Sequence, residues 1–186
     1  MDTNADRKPL DNKSFLTAHP SSGAPEPPRP DLEALQGLLD SANRDSTPYQ
    51  SVAVAAVQTL ERALRHERQV AEAALSLGQQ EKIGSLVQMA DKAVALLRDT
   101  LSAQGHKVMH VHASSGKADA AEAASPSWRP VLAAALEVLE EGTDQMGSLT
   151  TGQPSGSPAR ELSRFIAQFL RSHHDVLLME AEDWSD

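Results

Sequence analysis

Residues 47–103, TPYQSVAVAAVQTLERALRHERQVAEAALSLGQQEKIGSLVQMADKAVALLRDTLSA, decide the fold. In the first half Ala56, Leu60, Ala63, Val70, Ala74 and Leu77 recur at alternating spacings of four and three, with Glu67 as the one charged residue in the row. That period belongs to an amphipathic, coiled-coil-like helix. Thr47 is placed to cap it, Pro48 suits the first helical position, and Gln50 completes a capping-box pattern. Ile83, Val87, Ala90, Val94, Leu97 and Leu101 carry the period onward. Between the halves, Gly78 and Gly84 bracket Gln79-Gln80-Glu81-Lys82. Each glycine costs roughly 1 kcal/mol in a helix interior. The expectation is therefore either one long helix with a weak middle or a helical hairpin turning near these glycines.

Working outward, Leu32, Leu35, Leu38, Leu39 and Ala42 mark a first helix that begins near Pro30 and Asp31 and stops near Asn43. On the other side, residues 104–126 break the period with Gly105, Gly116, several serines and an Ala, Asp and Glu tract, and read as a flexible linker. A helix reopens at Ser127 to Pro130, with Trp128, Leu132, Ala135, Leu139 and Met146 on one stripe and Gly142 inside it or ending it. Residues 147–157 read as a second linker. Ser157 and Pro158 then start a last helix with a wide apolar face of Leu162, Phe165, Ile166, Phe169 and Leu170. Strand signals are nearly absent. The expected fold is all-α, an antiparallel bundle of four to five helices over residues 30–180, with a disordered arm over 1–29 and an acidic tail over 181–186.

Composition narrows the function classes. Aromatic residues make up only 3% of the 186, so the core has to be built from Leu, Val, Ile and Ala, and an Ala-rich interior favours close helix packing. A formal net charge of -9 repels phosphate backbones, so nucleic acid is not an expected partner. With no cysteine, disulfides, thiolate metal sites and cysteine nucleophiles are excluded. No charged start followed by an apolar stretch opens the chain, and no run of about 18 apolar residues suits a membrane span. The expected location is cytoplasmic, or within an assembled particle or secretion machine.

His106, His110 and His112 are the densest set of candidate metal ligands, because His-x-x-x-His places two imidazoles on one face of a helical turn. Against zinc, nickel or cobalt stand Gly105, Lys107 and the lack of an acidic ligand within the segment, which suit a solvated linker equally well. His173, His174 and Asp175 would supply further ligands if the last helix folded back. Adjacent residues point about 100° apart, so only one of the two histidines can face such a site. The plainer role for them is at the C-terminal end of a helix dipole.

Other patterns fail. His66-Glu67-Arg68-Gln69-Val70 begins like a zinc-protease helix, but Val70 stands where the second histidine is required. Gly116-Lys117-Ala118 lacks the hydroxyl and the earlier glycine of a phosphate loop, and neither a nucleophile elbow nor a dinucleotide turn occurs. Glu140 and Glu141 read as a solvated helix end. Arg62, Arg65, His66 and Arg68 form a basic cluster whose neighbours Glu61, Glu67 and Glu72 offer acidic partners.

At the C-terminus, Val176, Leu177, Leu178 and Met179 lead into Glu180, Glu182, Asp183, Trp184 and Asp186, with no Lys or Arg after Arg171. An apolar run before an acid-flanked Trp suits a docking peptide. The competing reading is that Val176 to Met179 finish the core. Candidate partner-binding residues are Phe165, Ile166, Phe169, Leu170 and Trp184, the first four on condition that the last helix leaves its face uncovered. The expectation is a non-enzymatic interaction or structural subunit of a larger protein assembly, self-associating or bound to a protein partner, without a cofactor. A secreted effector or secretion chaperone, and a His-based metal-responsive regulator, are the alternatives.

Overall fold

The computed structural model describes residues 31–41, 46–74, 76–105 and 127–183. Residues 1–29, and most of the expected linker over 104–126, lie outside them. Five helices pack together: α1 Leu32–Ser41, α2 Thr47–Ala73, α3 Leu77–Ala103, α4 Trp128–Thr151 and α5 Pro158–Asp183. No strand occurs among the described residues.

The central stretch is a hairpin rather than one helix, and it turns earlier than the glycines. α2 ends at Ala73 and α3 begins at Leu77, so Gly78 and Gly84 both lie inside α3. The reason is a cap. Ser76 Oγ accepts from the Gln79 amide at 3.3 Å, and Gln79 Oε1 accepts from the Ser76 amide at 3.0 Å. This reciprocal box fixes the start of α3 ahead of both glycines. The box expected at Thr47 is not formed; the cap of α2 is Ser46, which makes no side-chain capping bond. Pro48 still occupies the first turn, where a missing N–H costs nothing.

Ion pairs and close contacts give the direction of each helix. Glu61 pairs with Arg98 and Arg68 with Asp91, so a step of seven along α2 is a step of seven back along α3. Arg62 meets Glu141 and Thr59 meets Gln145, which makes α4 antiparallel to α2 as well. Thr150 donates to Ser163 at 2.9 Å, whereas Gly142 faces Leu170, so α5 is antiparallel to α4. α3 and α4 therefore run in the same direction. The end of α3 and the start of α4 lie at opposite ends of the bundle, separated by roughly 40 Å at 1.5 Å per residue. Topology thus demands a long connection there, as bundles with a crossover require.

The core is continuous across all five helices. Leu35 and Leu39 of α1, Val52, Val57, Leu60 and Val70 of α2, Ile83, Leu97 and Leu101 of α3, Leu139 and Met146 of α4, and Leu162, Ile166 and Phe169 of α5 are all essentially inaccessible. Ala53, Ala56 and Ala63 on α2, with Ala90 and Ala93 on α3, are buried between them and let the helix axes approach. α4 continues through Thr151, five residues into the stretch expected as a linker, and the turn to α5 occupies only residues 152–157. In that turn Gly156 has φ of 74°, a conformation that other residues adopt at a cost. Ser157 Oγ caps α5 by accepting from the Arg160 amide at 3.2 Å.

Gly142 is the closest point of approach. A Cβ there would stand 2.8 Å from Thr59 Cγ2 and 3.1 Å from Leu170 Cδ1. Thr59 cannot easily move aside, since its hydroxyl donates to the Ala55 carbonyl at 2.8 Å. A Cβ on Gly84 would meet nothing within 4 Å. Opposite outcomes are expected from the same substitution. Gly142→Ala should destabilise by about 1–3 kcal/mol through overpacking, whereas Gly84→Ala should stabilise by up to about 1 kcal/mol through helix propensity. Urea unfolding midpoints of the two variants measure both. A Gly142→Ala midpoint at or above wild type would contradict the packing described.

Candidate functional site

α2 and α5 each place one ionisable side chain on a stripe otherwise made of carbon. On α2, Glu67 follows Leu60 and Ala63 and precedes Val70. On α5, His173 continues the row Leu162, Ile166, Phe169 and Leu170 and precedes Leu177. Because both helices turn these stripes inward, the two groups meet in the core, with His173 Nδ1 2.7 Å from Glu67 Oε1. Glu67 is 0% and His173 2% exposed. The imidazole lies tilted against the Phe169 ring, with centroids 4.2 Å apart. Glu67 Oε2 and His173 Nε2 are buried without a hydrogen-bond partner.

A carboxylate orienting an imidazole is a common arrangement for proton transfer. Here the pair is walled in by apolar side chains. Its chemistry in the closed bundle is mutual, each group satisfying one polar atom of the other in a medium where an unpaired charge is costly. No other charged side chain among the described residues is buried.

His173 and His174 are not at a helix end. α5 runs on to Asp183, so the dipole role expected for them does not apply. The two do diverge as helical geometry requires: His173 points inward, and half-buried His174 lies 3.3 Å from Asp175 on the outside. Together with Glu140, Thr143, Asp144 and Arg171, His174 and Asp175 line a shallow cleft of about 280 Å³ between α4 and α5. Glu140 and Glu141 are mid-helix rather than terminal, and Glu141 pairs with Arg62 at 2.6 Å.

Two members of the basic cluster find their partners on other helices, while Arg65 Nε donates to the Glu61 carbonyl of its own helix at 3.4 Å. Arg62 goes to Glu141 of α4, Arg68 to Asp91 of α3 at 3.0 Å, and Glu61 is taken by Arg98 of α3. These pairs lie at the rim. His66, next to Arg65 and one turn after Arg62, is partly covered. Burial, with the two guanidinium charges adding to it, depresses its pKa below 6.5.

Of the expected partner-binding residues, Phe165, Ile166, Phe169 and Leu170 are corrected: each is no more than 8% exposed, because α5 folds onto α2 and α4 of its own chain. The condition that would have left them free is not met. Trp184 lies outside the described residues, as do His106, His110 and His112. Among the described residues, no three His, Asp or Glu side chains are placed to share a metal ion, and no helix is long and apolar enough to cross a membrane.

The surface has one anomaly. The outward stripe of α5 is polar through Arg164, Gln168, Arg171 and Asp175, and then turns apolar at Leu178 and Met179, which are 47% and 68% exposed. Leu177, one position back, is fully buried. The last turns of α5 therefore both finish the core and leave apolar surface outside it. The third exposed large apolar residue, Leu77, opens α3 at 78% exposure. It belongs to the same end of the bundle, because Lys82 in the second turn of α3 bridges to Glu180 of α5 at 2.8 and 3.0 Å. Those three are the only exposed large apolar residues among the described ones.

No family model, no curated protein and no solved structure matches this chain.

Two measurements follow from the buried pair and from His66. Glu67→Ala and His173→Ala should each destabilise by about 3–5 kcal/mol, whereas Glu67→Met with His173→Leu should recover most of the loss. Additive losses in the double variant would mean that the two groups do not act as a pair. For His66, the imidazole resonances should titrate with a midpoint below 6.5. The folded chain holds this group neutral more readily than the unfolded chain does. Its contribution to stability is therefore complete above 6.5 and is lost as pH falls through the depressed value.

Proposed function

We propose that this chain is a non-enzymatic helical interaction subunit of a larger protein assembly, and that it engages its partner through the bundle end where α5 passes α3. The observation that carries the reading is the placement of Leu77, Leu178 and Met179 at that one end. Scattered exposed apolar residues are ordinary on a protein surface, but a helix stripe that changes from polar to apolar over its last turns has a cost in water unless something covers it. Methionine on such a surface adapts to the shape of what it meets.

The fold limits the form such an interaction takes. With Phe165, Ile166, Phe169 and Leu170 in its own core, no helix stripe of that kind is left open among the described residues to complete by swapping or pairing helices. Association then adds surface to a finished bundle. The role that fits is a component of a particle, a secretion machine or a scaffold, joined to its neighbour by an exposed helix end.

A photo-crosslinking amino acid at position 179, and separately at position 168 three turns earlier on the same stripe, tests the proposal in the native host. The expected outcome is a complex larger than the chain itself, a discrete crosslink from 179 and none from 168. Met179→Asp should return the chain to its monomer mass in light scattering without lowering its melting temperature. A wild-type chain that is monomeric in native extract and crosslinks from neither position would remove the basis of the proposal.

A further inference from the structure

α1 rests on α3 and α5 and makes no close approach to α2, which follows it in the chain, or to α4. α3 and α5 scarcely meet each other directly, so α1 lies in the seam between them. Leu35 and Leu39 fill that seam and are fully buried, with Leu32 and Leu38 half-buried beside them, while Glu33, Gln36 and Asp40 face outward. This is an amphipathic helix in an apolar groove, with the occupant supplied by the chain itself.

The occupant fits its groove incompletely. α1 has 10 residues, fewer than an isolated helix needs to hold its shape, and Gly37 in its middle weakens it further. Between α1 and α5 runs a groove of about 350 Å³, lined by Gly37 and Leu38 on one side, by Phe165 and Gln168 on the other, and by the paired Glu161 and Arg164. A Cβ on Gly37 would meet nothing within 4 Å. Packed helix interfaces leave few voids larger than a water molecule, so this groove has room for a side chain that α1 does not carry.

A second copy of this chain gains nothing there. Its α1 brings the same Gly37, and the resident α1 has the advantage of its tether. Glu161 and Arg164 cancel in charge, so the groove selects apolar shape rather than sign. Independently of the bundle end at Leu178 and Met179, we infer that the seam between α3 and α5 docks an amphipathic helix of a different protein, and that α1 is its resident occupant, displaced when that helix binds. The incoming helix carries leucines at the spacing of Leu32, Leu35 and Leu39 and a larger apolar side chain where α1 has Gly37.

Fluorescence anisotropy on the full chain tests this with labelled peptides of residues 31–42, in wild-type form and as Gly37→Ala and Gly37→Met. The Ala peptide adds helix propensity alone, whereas the Met peptide also fills the groove. Affinity should rise in that order, the Met peptide binding about tenfold tighter than the Ala peptide. In the chain itself, Gly37→Met should weaken binding of the Met peptide about tenfold, because the resident helix then fits its seam. Leu35→Ser with Leu39→Ser should strengthen it about tenfold or more, because α1 is released. Circular dichroism should show a cooperative melt for both variants; where the double-serine chain fails to fold, wild type against the Gly37→Met chain decides. Equal binding of the Met peptide by these chains would place it away from the seam and overturn the inference, as would equal binding of the three peptides. A wild-type dimer that the peptide splits into monomers would show α1 exchanging between copies and overturn the foreign occupant.

Discussion

Glu67 and His173 are held 2.7 Å apart in a core where no other charged side chain among the described residues is buried, and such a pair tolerates little displacement. An apolar contact between helices is nearly as good after a small slide or rotation. A hydrogen bond between two buried ionisable groups is not, because moving α5 by one residue shifts it about 1.5 Å and turns its stripe by about 100°. The pair therefore sets the register of α5 on α2 more sharply than Phe165, Ile166, Phe169 and Leu170 would set it alone. Its net worth to stability is modest, since both groups surrender hydration and Glu67 Oε2 and His173 Nε2 gain no replacement. What it restricts is the set of alternative packings.

Once α5 is registered on α2, the rest of the bundle has little freedom. α4 has to approach both helices at once, and Gly142 is where it does so, with Thr59 on one side and Leu170 on the other. A side chain there would push α4 off one of its two neighbours. The hydroxyl chain from Thr150 to Ser163 to the Arg160 carbonyl satisfies the one fully buried serine among the described residues and ties the end of α4 to the start of α5. α3 then packs on the free side of α2, parallel to α4, which is why the sequence between them has to be long.

The helices themselves were plainly legible in the sequence, because each carries an apolar row with a three- and four-residue period. The boundaries that were missed have local causes. Ser76 and Gln79 form a capping box that outweighs two glycines, and Thr150 and Ser163 hold the end of α4 in helix past a Gly- and Ser-rich stretch. The buried pair was half legible. Glu67 stood out as a charge in an apolar row, and His173 sits four residues after Phe169 and seven after Ile166. Within its own helix, the first reads as a flaw in a stripe and the second as a dipole partner. A charged residue on a core stripe implies a complementary group on another stripe, and only the packing of α2 against α5 identifies which one. The expected partner-binding face failed for a related reason: a wide apolar face on a last helix has the same sequence signature whether it covers its own core or another protein's.

The closed core also limits how this chain can associate. Had the aromatic face of α5 been open, binding and folding would have been a single event, and the free chain would have been unstable. With that face filled, the exposed large apolar side chains among the described residues lie at one end, on helices that are already formed. A partner bound there, as proposed above, would pay no cost for ordering the backbone of α5 and would gain chiefly from covering Leu178 and Met179. Such an interface would depend on how rigidly the last turns of α5 are presented. Leu177 in the core and the bridge from Glu180 to Lys82 provide that rigidity on either side of Leu178 and Met179. The buried pair that registers α5 in the middle of the bundle thus also determines where its far end stands.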